Sequence, residues 1–233
     1  MKNMKIFGLQ KLTLLDYPGK VACTAFTGGC NFCCPFCHNA SLVVNPDVSY
    51  AMEEAELLAF LRKREPVLDG ICISGGEPLL QPNIELLIAR IKDIGLSVKL
   101  DTNGSFPALL RRLIEHKLVD YVAMDIKNSK ENYFKTSGTD KVPLKNMEES
   151  AELLMSHVVP YEFRTTVVRE LHTADDFVAI GKWLSKDSPY FLQNFVDSGD
   201  LIGENFSAYQ KSEMEIFVQI LRKTMKFVEL RGI

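Results

Sequence analysis

The chain has 233 residues, 46% of them hydrophobic and 24% charged, with a formal net charge of -3. That length and composition fit one soluble globular domain, 1–233, with a large core. The slight acidity and the absence of a long basic block give no electrostatic case for nucleic acid, and no stretch approaches the roughly 18 uninterrupted apolar residues of a membrane helix.

Apolar, β-branched runs alternate along the chain with helical patterns. KVACTAF (20–26) reads as a first strand. AMEEAELLAFLRKRE (51–65) reads as a helix with acids early and bases late, as the macrodipole favours. GICIS (70–74) is a second strand, and PNIELLIARIKDIG (82–95) a helix stopped by glycine. SVKLDT (97–102) is a third strand, and FPALLRRLIEHK (106–117) a helix with proline near its start. VDYVAMDI (119–126), YEFRTTVV (161–168) and YFLQNF (190–195) are further strands, separated by helices at 143–157 and 173–186. A C-terminal helix at about 209–225 precedes a short apolar end, FVELRG.

Strands alternating with helices imply parallel βαβ units with right-handed crossovers. A complete eight-unit barrel takes eight strands and about 250 residues, and only six are legible. The expected fold is therefore α/β, an incomplete, open (β/α)6 partial TIM barrel, with a doubly wound open sheet as the alternative. Both put ligands at the C-terminal ends of the strands. The conspicuous polar groups follow that rule. The strands end in the cysteine loop, then SGGEP (74–78), DTNG (101–104) and MDIK (124–127), with Arg164 and Thr166 in the fifth and Gln193 at the end of the sixth.

The segment GGCNFCCPFCHN (28–39) carries four of the six cysteines. The first twenty residues show no secretory pattern, so a cytoplasmic chain with reduced thiols is expected, and clustered cysteines then suggest metal or catalysis. Cys30, Cys33, Cys34 and Cys37 form two abutting C-x2-C pairs, a strained arrangement for tetrahedral zinc. Cys30, Cys34 and Cys37 alone read as C-x3-C-x2-C, which suits a cubane iron–sulfur cluster with one iron left open. Cys33, between the ligands, is then a bystander, an alternative ligand or an oxidation liability.

C-x3-C-x2-C with an aromatic before the last cysteine is the signature of the radical S-adenosylmethionine enzymes. The longer string CNFCCPFCHN, preceded by LDYPGK, resembles the activating enzymes of glycyl radical enzymes. It is most similar to the anaerobic ribonucleoside-triphosphate reductase activators, with the pyruvate formate-lyase activators next. The likeness runs from about Leu15 to Gln193. It implies a 4Fe–4S cluster on Cys30, Cys34 and Cys37, and S-adenosylmethionine bound to the open iron. It places Phe36, His38 and Asn39 beside that cofactor. Gly75, Gly76 and Glu77 receive the methionine ammonium, and Asn103 lies with them. Lys127 and Arg164 face the carboxylate and Thr166 the adenine; at the sixth strand the family's ribose-side histidine is missing, and Gln193 or Asn194 takes its place if anything does. Asp101, Thr102, Met124 and Asp125 surround a monovalent cation, sodium or potassium. The implied activity is reductive cleavage of S-adenosylmethionine to generate a glycyl radical on a partner, most closely an anaerobic ribonucleotide reductase. A flavodoxin- or ferredoxin-type donor supplies the electron. Activation of another glycyl radical enzyme, or chemistry on a small molecule, is the alternative.

Overall fold

The computed structural model describes residues 4–232. The ends of the expected 1–233 domain, residues 1–3 and 233, and the start of the stretch inspected for a secretory signal lie outside the described residues. β1 (Lys5–Thr13) and β2 (Ala22–Thr27) lead into α1 (Ala40–Val43), β3 (Met52–Glu53) and α2 (Glu54–Arg64). Then come β4 (Gly70–Gly75), α3 (Ile84–Asp93), β5 (Ser97–Thr102), α4 (Pro107–Glu115) and β6 (Tyr121–Asp125). The chain continues through α5 (Tyr133–Ser137), α6 (Leu144–Met155), β7 (Tyr161–Val167), α7 (Ala174–Trp183), β8 (Tyr190–Asn194), α8 (Lys211–Leu221) and β9 (Val228–Arg231).

These strands form one sheet in the order β3-β1-β2-β4-β5-β6-β7-β8-β9. The six expected strands are β2 and β4–β8, all parallel. The apolar end of the chain supplies a seventh parallel strand, β9, against β8. β1 runs antiparallel to β2, and β3 caps the other edge. The sheet is open, as expected, because β3 and β9 end it without pairing to each other.

The helices begin where local chemistry allows. α2 starts at Glu54 rather than 51 because Met52 and Glu53 are extended against β1, and Glu53 and Glu56 cap each other reciprocally. α4 opens on Pro107, whose missing N–H costs nothing in the first turn. The longer helices bury one face each, such as Leu87, Ile88 and Ile91 of α3 and Phe177 and Ile180 of α7. The strands between are buried on both faces, so Val122, Ala123 and Met124 of β6 are all inaccessible. Among the described residues no helix is long and apolar enough to cross a membrane.

Candidate active site

At the C-terminal ends of the parallel strands the loops enclose a cavity of about 250 Å³. Cys30, Cys34, Phe36, Cys37, His38 and Asn39 line it from the loop after β2. Gly75 and Gly76 enter from β4; Asp101, Thr102 and Asn103 from β5; Asp125 and Lys127 from β6. Arg164 and Thr166 of β7 and Gln193 of β8 complete the wall. Strand register brings these groups level, since Asp125 pairs with Arg164 and Thr166 with Gln193. Of the expected site residues, only Glu77 and Met124 are absent from the wall.

The cysteine loop is shaped by its own residues. Pro35 and Phe36 centre a turn closed by the Cys37 N–H, which donates to the Cys34 carbonyl at 3.0 Å. Phe32 and Phe36 are buried beneath it. The Cys33 N–H donates to the Ser137 carbonyl at 3.0 Å, while the Cys33 thiol is exposed and does not face the cavity. The loop is also strapped from above by the chain after β8. Asp200 accepts from the Ser41 N–H at 3.1 Å and its hydroxyl at 2.7 Å, and the Gly203 N–H donates to the Pro35 carbonyl at 2.7 Å.

Gly75 and Gly76 admit no side chain. A Cβ on Gly76 would stand 1.9 Å from the Gly29 carbonyl oxygen, next to Cys30. Gly75 has φ +116 and would drive a Cβ to 2.3 Å from the Thr27 amide nitrogen. The β4 loop therefore lies directly against the cysteine loop, and the Glu77 N–H donates to Gly29 at 2.9 Å.

Burial pushes the lining thiols up, Cys30 to about 11 and Cys34 to about 12, and the Lys127 ammonium pulls against it. Burial raises Cys37 in the same way. Any metal bound as thiolate must displace those protons. Among the described residues no three thiol, imidazole or carboxylate groups converge as a single metal ion requires. The thiols are instead distributed around one wall, an arrangement open to a multinuclear metal–sulfur group. Asn103 Nδ2 lies 3.8 Å from Cys30 Sγ.

The same cavity carries a partly buried charge network. Arg164 of β7 joins two carboxylates, with Nη1 3.2 Å from Asp101 Oδ2 and Nη2 3.0 Å from Asp125 Oδ1. Lys127 Nζ lies 3.1 Å from Asp125 Oδ2, and Lys99 Nζ bonds Asp101 Oδ1. Burial opposes ionisation of both aspartates. Arg164 and Lys99 outweigh it at Asp101, and Lys127 and Arg164 at Asp125, so both are held below the usual carboxylate range. Lys127 is held above its ordinary value by Asp125 against the pull of burial. Burial, followed by the charge of Lys127, lowers His38.

Glu77 and the expected cation ligands already have partners within the protein. Glu77 was expected beside a ligand's ammonium. Its carboxylate is fully buried behind the wall, accepting from Thr102 Oγ1 at 2.9 Å, the Asn103 N–H at 2.7 Å and the Leu79 N–H at 3.0 Å. It ties β4 to the end of β5, because an ionisable group without solvent must take every donor in reach. The expected cation ligands are likewise engaged elsewhere. The Asp101 and Asp125 oxygens face protein cations, the Thr102 hydroxyl serves Glu77, and the Met124 side chain packs against Gly104.

Burial pushes Glu77 up to about 7, against the three donors. A folded value above the ordinary 4.5 means the native state keeps a proton that the unfolded chain has released. Stability is then fullest below about pH 4.5 and falls as pH rises towards 7. The loss is about 3 kcal/mol at roughly 1.4 kcal/mol per pH unit. Glu77→Gln is expected to flatten this dependence. Urea denaturation of both proteins at pH 5 and pH 8 tests it, and parallel pH profiles would contradict it.

Some contributors had no legible signal. Lys99 looks from sequence like one more strand residue, though its i, i+2 spacing from Asp101 puts both on one face. His172, in the loop between β7 and α7, carries no motif in the sequence. It is fully buried, with Nε2 2.8 Å from the Lys127 carbonyl oxygen and Nδ1 accepting the Val168 N–H at 3.1 Å, so it fixes the backbone that carries Lys127.

Comparison with known proteins gives a consistent result. The Radical SAM superfamily model matches residues 24–184. A candidate glycyl-radical enzyme activating enzyme of Methanocaldococcus jannaschii is 33% identical over 98% of this chain and 96% of its own length. The pyruvate formate-lyase-activating enzyme of Clostridium pasteurianum is 30% identical over 56% of each chain. Among solved structures, SuiB of Streptococcus suis bound to S-adenosylmethionine superposes with a TM-score of 0.66 at 12% identity, over 88% of this chain and 49% of SuiB, which speaks to the fold alone.

Proposed function

The chain belongs to the radical S-adenosylmethionine superfamily and, within it, to the family of glycyl-radical-enzyme activating enzymes, and on that premise we propose that it generates a glycyl radical on a partner enzyme. The family's cofactors are a 4Fe–4S cluster and S-adenosylmethionine, which when bound supply one-electron cleavage of a sulfonium and hydrogen-atom abstraction.

The observation that carries the reading is the cavity wall itself. Three thiols, Cys30, Cys34 and Cys37, share it, and the fourth of the cluster, Cys33, is turned out. That donor set fits a cubane with one iron free of protein ligands. In this proposal the three cysteines hold the cluster, and Asn103 donates to the sulfur of Cys30. Backbone groups at Gly75 and Gly76 receive the methionine ammonium, and Lys127 and Arg164 its carboxylate. Phe36 and Thr166 border the adenine, Gln193 the ribose, and His38 and Asn39 the edge of the cavity. The partial burial of the charge network limits water, which strengthens each ionic contact and limits side reactions. The work is done in one domain, in the cytoplasm, where its six unpaired cysteines stay reduced. A flavodoxin- or ferredoxin-type protein delivers the electron.

The proposed partner is an anaerobic ribonucleoside-triphosphate reductase, to whose activators the cysteine string is most similar. Pyruvate formate-lyase is the second reading, favoured by the Clostridium relative. Anaerobic mixing of the reduced, loaded protein with each enzyme, followed by electron paramagnetic resonance, separates them. A glycyl-radical doublet on one enzyme names the partner. Cleavage of S-adenosylmethionine without a radical on either would overturn both and leave another glycyl radical enzyme or a small molecule as the substrate.

A further inference from the structure

We propose that the buried ammonium of Lys99 is a built-in cation of this site, so that the protein binds S-adenosylmethionine without a monovalent metal ion. The inference rests on the cofactor site proposed above. The likeness to pyruvate formate-lyase activators implies a sodium or potassium ion among Asp101, Thr102, Met124 and Asp125. The residues present do not fit one. Both oxygens of each aspartate already face a protein cation. Asp101 has Lys99 on Oδ1 and Arg164 on Oδ2, where Ser74 Oγ also donates at 3.1 Å; Asp125 has Arg164 on Oδ1 and Lys127 on Oδ2. The Thr102 hydroxyl donates to Glu77 and accepts the Gly104 N–H at 3.1 Å.

Lys99 is 1% exposed and lies two residues before Asp101 on the same face of β5. Its ammonium reaches Asp101 from beneath the cavity floor: Asp101 lines the cavity and Lys99 does not. The other recorded contact of its Nζ is the Cys72 thiol at 3.7 Å. A lysine so placed is anchored by its pairing with Asp101, and it holds Asp101 fixed in return. An ammonium group and a potassium ion carry the same charge in a similar volume, so one can stand for the other. The charge count agrees. Lys99, Lys127 and Arg164 set three positive charges against two aspartates. The surplus positive charge is what a ligand's carboxylate requires. A metal ion would add a second uncompensated charge to a site with little water to screen it.

The test compares wild type with Lys99→Met, which keeps length and removes charge. Sodium-23 NMR relaxation is measured on both proteins free of cluster. Binding of S-adenosylmethionine to both reconstituted proteins is then measured with potassium, sodium or tetramethylammonium as the sole cation at constant ionic strength. Wild type is expected to broaden no sodium signal specifically and to bind within about twofold in all three salts. Lys99→Met is expected to bind about tenfold more weakly in tetramethylammonium and to recover in potassium or sodium, a rescue that a purely structural lysine would not show. Specific sodium binding by wild type, or a tenfold preference of wild type for a metal cation, overturns the proposal. So does a Lys99→Met protein that shows no cation dependence. If Lys99→Met does not fold, the wild-type measurements decide alone. If wild type binds S-adenosylmethionine in none of the salts, the cofactor reading fails, and the sodium measurement on the cluster-free protein still decides the role of Lys99.

Discussion

Replacing Arg164 by methionine is expected to destabilise the cluster-free protein by about 3–5 kcal/mol, the usual cost of removing one partner from a buried ion pair. Among the described residues Arg164 is the one side chain that forms ion pairs with both Asp101 and Asp125, and it bridges β5 and β6 from β7. Without it, Asp101 keeps Lys99 and Asp125 keeps Lys127, which places the loss towards the lower end of that range. Two carboxylates then face each other with one cation fewer, and the attraction for a ligand's carboxylate falls. Arg164→Lys is expected to recover only part of the loss, because an ammonium is a point charge and cannot fork between two acceptors. Urea denaturation measures the stability, and equilibrium dialysis of S-adenosylmethionine the binding. A change in stability below about 0.5 kcal/mol for Arg164→Met would mean that the network is not structurally important.

Gly138→Ala is expected to damage the cysteine loop from outside the cavity. Gly138 ends α5 with φ +70, and a Cβ there would stand 1.9 Å from the Cys33 carbonyl oxygen. The atoms in the way, the Cys33 carbonyl and the Cys34 amide nitrogen, are all backbone, so none can swing aside. The left-handed conformation costs a non-glycine residue roughly 1 kcal/mol and the overpacking about 1–3 more. Relief must come from moving Cys33, and Cys34 moves with it. The expected result is a destabilised protein that retains well under half of the wild-type iron after identical anaerobic reconstitution. Wild-type iron content with unchanged stability would contradict the close approach of α5 to the loop.

The six parallel strands and the site at their C-terminal ends were legible because the cues are local. Buried parallel strands read as continuous apolar runs, and each ends in a short polar signature. β1 was not legible. Its pattern KIFGLQKLT mixes half-buried and exposed positions around a glycine, and its partner lies in the antiparallel direction. β9 is too short to announce itself and is defined by pairing with β8. The strap over the cysteine loop depends on contacts about 160 residues apart in sequence, such as Ser41 with Asp200. Within the site, residue identity showed which side chains gather but not which way they face. Glu77 follows two glycines as a ligand-binding residue would, yet its carboxylate turns inward because Thr102, Asn103 and Leu79 offer donors there. Lys99 illustrates the converse: its partner two residues on is readable, but its burial depends on the strands either side.

The central claim is that Cys30, Cys34 and Cys37 hold a cubane whose fourth iron is free to take S-adenosylmethionine. The direct measurement is electron paramagnetic resonance of the anaerobically purified, dithionite-reduced protein, recorded with and without S-adenosylmethionine. The account predicts a reduced-cluster signal that changes shape when the cofactor is added. A protein without iron, holding stoichiometric zinc instead, or a cluster signal unmoved by saturating S-adenosylmethionine, would contradict it.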